Sequence, residues 1–153
     1  MRRVILFLLA LTAVVTASPE EDMNSIIDAV YRADGKTVYE GLTMENREAL
    51  SMVIAMMSFA PDQVALQLRQ QLDVQISPSE VASLDVQKLI TVIIDSPFFR
   101  RELPGSRDMI FCESHTMRGD TALVYISIAN EDSVYGYPMM LQEGSWRIAE
   151  SFF

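Results

Sequence analysis

Cysteine is almost missing from this chain. Cys112 stands alone in 153 residues, so an internal disulfide is impossible and zinc sites built on paired cysteines are excluded. In a strand, such a thiol reads as a buried, inert one. Histidine is as scarce: His115 is the only one, and with scattered carboxylates around it no metal constellation is expected, nor any cofactor. Basic residues are outnumbered, 12 against 21 acidic. A surface of that sign repels nucleic-acid phosphates and anionic lipid headgroups, so nucleic acid is not an expected partner. No Asn-x-Ser/Thr sequon occurs. No glycine-rich run follows a strand and opens a helix to cradle phosphate. No serine in a strand-to-helix elbow accompanies the histidine, which removes the nucleophilic triad.

The apolar runs are short. The longest, Val4–Val15, is broken only by Thr12 and falls short of the roughly 20 residues that a spanning helix needs. Arg2 and Arg3 precede it, and Val15-Thr16-Ala17 follows with small residues where a signal peptidase reads. Residues 1–17 are therefore expected to be a signal peptide cleaved after Ala17, and the product to be secreted or periplasmic. No membrane span is expected in the mature chain. Residues 18–153 then form a single domain of 136 residues, long enough to bury a core. Half of the chain is hydrophobic, which excludes disorder. Loss of Arg2 and Arg3 takes the net charge from −9 to about −11.

What is present divides into two halves. Asp22–Ala33 carries Ile26, Ile27, Val30 and Tyr31 at helical spacing. Thr37-Val38-Tyr39 reads either as a small strand or as a helical turn. Thr43 is placed to cap a second helix, with Glu45 in its first turn; Met52 and Met56 widen its apolar face, which predicts a well-buried helix. Pro61-Asp62 opens a third. Ser77-Pro78-Ser79-Glu80 has the cap, proline and glutamate of a strong start signal, and predicts a helix through Asp95. Ser96-Pro97 starts a short turn through Leu103, and Pro104-Gly105 stops helix altogether. From Asp108 onward the pattern has a period of two. Strands are expected over 108–117, 121–130, 134–142 and 145–153, joined by turns at Arg118-Gly119-Asp120, Asn130–Ser133 and Glu143-Gly144. The predicted fold is α+β: N-terminal helices packed on one face of a C-terminal four-stranded antiparallel sheet.

Three stretches carry a resemblance: Gly119-Asp120-Thr121-Ala122 opening one strand, Tyr137-Pro138-Met139-Met140-Leu141 in the next, and Glu143-Gly144-Ser145-Trp146-Arg147-Ile148 in the last. With helices first and the meander last, the chain resembles the nuclear transport factor 2-like superfamily, a cone of helices against a curved sheet. The resemblance implies a concave apolar interior and, often, a homodimer made through the open sheet face. Isomerases, dehydratases, transport adaptors and secreted domains share this fold, so it does not choose a function. The helical half departs from the simplest pattern by an additional helix between Pro61 and Asp95.

The candidate chemistry is sparse. Glu113 and His115 lie two apart, so both side chains leave a regular strand on one face. A two-residue turn at Arg118-Gly119-Asp120 puts Phe111, Glu113 and His115 on the face of Val124 and Ile126; a three-residue turn flips them. Facing inward, Glu113 and His115 can serve as acid and base for an isomerase or dehydratase. A ligand pocket is expected from Phe111, Val124, Ile126, Met52, Met56 and Trp146. Leu123, Tyr125, Tyr135 and Tyr137 form an aromatic-rich set expected on the open face, where a second copy or another partner can dock. The leading expectation is a non-catalytic module that holds a small apolar ligand in the cone or a protein on the open sheet. A small enzyme using His115 and Glu113, and a periplasmic lipid carrier, are the alternatives.

Overall fold

The computed structural model describes residues 17–149. The expected leader, apart from Ala17, and the end of the fourth strand lie outside the described residues.

Helix α1 (Pro19–Tyr31) starts earlier than its apolar stripe suggests, because Ser18 and Glu21 form a capping box with Pro19 at the first turn. Helix α2 (Gly35–Glu40) settles the ambiguous segment as helix. Asp34 is the reason: its carboxylate accepts from the Thr37 backbone and from the Thr37 hydroxyl, which fixes a helix start and removes the strand option. What touches the sheet instead is Leu42, in a parallel bridge with Ile148.

Helix α3 (Met44–Met57) has no side-chain cap from Thr43; Met44 N donates to Gln142 Oε1 at 3.0 Å. Helix α4 (Pro61–Leu72) ends in a left-handed Asp73. The single helix expected over 77–95 is two, α5 (Pro78–Ala82) and α6 (Val86–Ile94). Asp85 supplies a second cap, accepting from Lys88 N at 2.8 Å, so a new helix begins where the first would have continued. Helix α7 (Pro97–Glu102) is capped by Ser96, and a 3-10 turn spans Arg107–Met109.

The sheet is an antiparallel meander in the order β1-β2-β3-β4, comprising β1 (Ile110–Arg118), β2 (Thr121–Ile128), β3 (Val134–Gln142) and β4 (Ser145–Ile148). Arg118 pairs with Thr121, so the first turn has two central residues, with Gly119 at φ 63° as such turns require. The helices cover one face. Ala122, Val124, Ile126, Met139, Trp146 and Ile148 point from the sheet into the main core, where Met23 and Ile26 of α1 and Ile90 and Ile94 of α6 meet them. A smaller cluster, Ala65, Ile76 and Val81, closes α4 against α5.

The buried-helix expectation for α3 is overturned. Leu50 is its one buried residue, while Met52 and Met56 are 67% and 64% exposed. From Ala49 onward α3 is apolar on nearly every side, which does not say which stripe meets the core, and here only a narrow one does. Phe59 and Leu66 extend the exposed apolar surface onto the bend and α4. Among the described residues no single helix is long and apolar enough to cross a membrane; α3 and α4 reach that length only as a pair bent by 115°.

Candidate functional site

Helix α1 lies across the sheet and is held along its length by polar contacts to the sheet and to the segment that leads into it. Trp146 N donates to Asp22 Oδ2 at 2.7 Å. Arg107 reaches Asp28 through Nε, Asn24 through Nη2 and the Ile110 carbonyl through Nη1. At the far end the Tyr31 hydroxyl donates to the Pro104 carbonyl at 2.8 Å, and Arg100 donates to the Tyr31 carbonyl at 3.1 Å. Burial pushes the Tyr31 hydroxyl pKa up, with Arg107 and Arg100 pulling the other way.

Beneath this strap are two apolar cavities. The inner one, about 180 Å³, runs between α1, α2 and α6 and is lined entirely by hydrocarbon side chains, among them Val38, Leu42, Ile90 and Ile94. The outer one, about 340 Å³, opens between α1, α7 and the sheet, past Leu103, Ile110, Ile128, Tyr135 and Tyr137. Ile26, Val30, Phe99 and Ile148 line both. Glu102 is the one charged side chain in either lining.

His115 faces the helices, opposite Val124, as a two-residue turn requires. Its ring Nδ1 meets the carboxylate of Glu20 in the first turn of α1. Burial raises the Glu20 pKa, but the His115 hydrogen bond, the backbone, Ser18 and the His115 charge together outweigh it, and the carboxyl is held below its usual range.

Glu113 does not share that face, contrary to expectation. A β-bulge between Cys112 and Ser114 leaves Glu113 without a partner on β2, and one extra residue reverses every side chain before it. Glu113 accepts from the Ser127 hydroxyl, and Phe111, opposite Ser127, is 50% exposed on the open face. The acid–base pair is therefore not assembled, and neither His115 nor Glu113 lines either of these two cavities. Cys112 takes the helix side instead, opposite Ile126. Burial pushes its thiol pKa up; Arg107 opposes this, while Glu20 and Asp28 add to it.

The expected pocket residues also separate. Ile126 lines the outer cavity. Val124 and Trp146 are buried in the core beside it. Phe111, Met52 and Met56 lie away from it, on the surface. The aromatic set divides as well. Leu123 and Tyr125 face the open side, opposite Pro138 and Gly136, but Tyr135 pairs with Ile126 and Tyr137 with Val124, which turns both tyrosines toward the helices and into the outer cavity. The register across the 130–133 loop decides this, and a shift of one residue would have given the opposite result. Residues that sequence reasoning did not single out, Glu20, Phe99 and Glu102, come from helix positions whose partners lie far along the chain. Among the described residues, no three His, Cys, Asp or Glu side chains converge in a way that could hold a metal ion.

No family model, curated protein or solved structure matches this chain.

Proposed function

We propose that the protein is a non-catalytic binding module, exported after loss of its leader, that holds a small apolar ligand beneath α1 in a nuclear transport factor 2-like cone. The observation that carries this reading is the lining of the two cavities: hydrocarbon throughout the inner one and a single charged side chain in the outer one. Such a site gains its affinity by removing apolar surface from water. The outer volume is at the lower end of the range of roughly 300–1,000 Å³ typical of ligand sites. The separation of His115 and Glu113 by the bulge favours this reading over acid–base chemistry by that pair.

Fluorescence titration with N-phenyl-1-naphthylamine, a neutral apolar probe, tests this. Saturable uptake is expected, lost by tenfold or more in Val30→Phe, which adds bulk where the two cavities meet. No uptake by folded protein, or equal uptake by a Val30→Phe variant with an unchanged circular dichroism spectrum, overturns it.

A second reading, contact with another copy of the chain through the open face, is favoured by exposed Phe111 and Val134 beside Leu123 and Tyr125. Sedimentation equilibrium decides it: a dimer that Phe111→Glu dissociates supports the reading, and a wild-type monomer at high concentration ends it.

A further inference from the structure

Resting on the ligand-binding reading above, we infer that the ligand is an unbranched alkyl chain with a cationic head, its tail in the inner cavity and its head at Glu102. Three observations lead there. First, the two cavities adjoin. Ile26, Val30, Phe99 and Ile148 border both, so a ligand filling both passes a waist of these four side chains. An inner space of about 180 Å³ is smaller than that of a drug-sized ligand site, and a chain passing such a waist fits better than a ring system.

Second, polarity has only one end to go to. The inner cavity offers no polar side chain. A hydroxyl, amine or carboxylate placed there loses its water and gains no partner, at a cost of at least about 1–3 kcal/mol for a neutral group and far more for an ion. The head must stay in the outer cavity.

Third, the one charged side chain lining that end is an acid. Glu102 lines the outer cavity, with the rings of Tyr31, Tyr135 and Tyr137, whose faces attract cations. The two arginines that touch α1 are committed elsewhere. Arg100 binds the Tyr31 carbonyl and Asp95, and Arg107 binds Asp28, Asn24 and the Ile110 carbonyl. No cation lines the cavity to receive a carboxylate or phosphate, and the net charge of −9 steers anions away.

Displacement of N-phenyl-1-naphthylamine by dodecylamine, dodecanol and dodecanoate, each below its micelle concentration, tests the inference. The amine is expected to displace the probe best and the carboxylate worst, with about a fivefold span between them, the upper end for one solvent-exposed charge contact. Glu102→Gln should narrow the gap between amine and alcohol. Dodecanoate displacing as well as dodecylamine overturns the cationic head. Probe uptake without displacement by any of the three overturns the chain ligand and leaves the pocket standing. Absence of probe uptake removes the reading on which the inference rests. Undiminished dodecylamine binding by Val30→Phe places the amine on the acidic surface and overturns the inference.

Discussion

His115 in β1 and Glu20 in α1 stand 95 residues apart in the chain and meet in a side-chain hydrogen bond that pins the first turn of α1 to the sheet. The side chains are 26% and 23% exposed, dry enough for the contact to count and wet enough for solvent to weaken it. Glu20→Gln is expected to cost about 1 kcal/mol at neutral pH. The sign with pH follows from the lowered carboxyl. A depressed folded-state pKa gives stability that is fully present above the ordinary glutamate value and is lost as pH falls through the folded one. Melting temperatures recorded from neutral pH down into that acidic window should fall less steeply for Glu20→Gln than for the parent; parallel curves would refute the linkage.

Arg107 joins α1 to the start of the sheet through three of its nitrogens. Asp28 is nearly half exposed, so its share is discounted. The charge-assisted bonds to Asn24 and the Ile110 carbonyl remain, and Arg107→Ala is expected to lose about 2 kcal/mol. Lysine has no planar fork and should recover less than half of this. Urea unfolding checks it, as a lower midpoint with an unchanged slope.

How much of this was legible in the residues depends on the range of the signal. Ser77-Pro78-Ser79-Glu80 announced a helix start that the structure contains, and the short turn expected after Ser96-Pro97 is the helix α7, because a cap is written within four residues. The order of helices and strands was legible for the same reason. The bulge was not: Cys112-Glu113-Ser114 contains no glycine to mark it, and it reversed Glu113 and Phe111. The directions of Tyr135 and Tyr137 hung on a register counted across one loop. Met52 and Met56 looked like core because the second half of α3 is apolar on nearly every side, and hydropathy does not say which stripe finds a partner.

Gly35 sits where α2 and α6 approach closely. A Cβ there would lie 2.2 Å from Thr91 Oγ1, 2.4 Å from the Gln87 carbonyl oxygen and 2.7 Å from Thr91 N. Two of these three atoms are backbone and cannot turn aside. Replacing glycine by alanine inside a helix ordinarily stabilises by roughly 1 kcal/mol, but Gly35→Ala is expected to destabilise by about 2 kcal/mol through overpacking. A thermal melt gives the sign directly, and an unchanged or raised melting temperature would contradict the close approach.

The Cys112 thiol is half-buried on the helix side of β1, and burial raises its pKa. The thiolate is the reactive form, so at pH 8 the folded protein should react with 5,5′-dithiobis(2-nitrobenzoic acid) at least tenfold more slowly than the same protein in guanidinium chloride. Equal rates would mean that the thiol is open to solvent in the fold.

The extra residue that turns Glu113 outward also governs what the sheet does not do. β1 is first in the strand order, and no strand among the described residues pairs with its outer side. A flat, regular edge of that kind is a template for the next molecule's strand. Here the bulge interrupts the ladder partway along and leaves a carboxylate at the break, so an incoming strand meets a kinked, charged border with no continuous row of amides. The bulge that costs the sequence its apparent acid–base pair thereby makes this edge a poorer template for edge-to-edge growth.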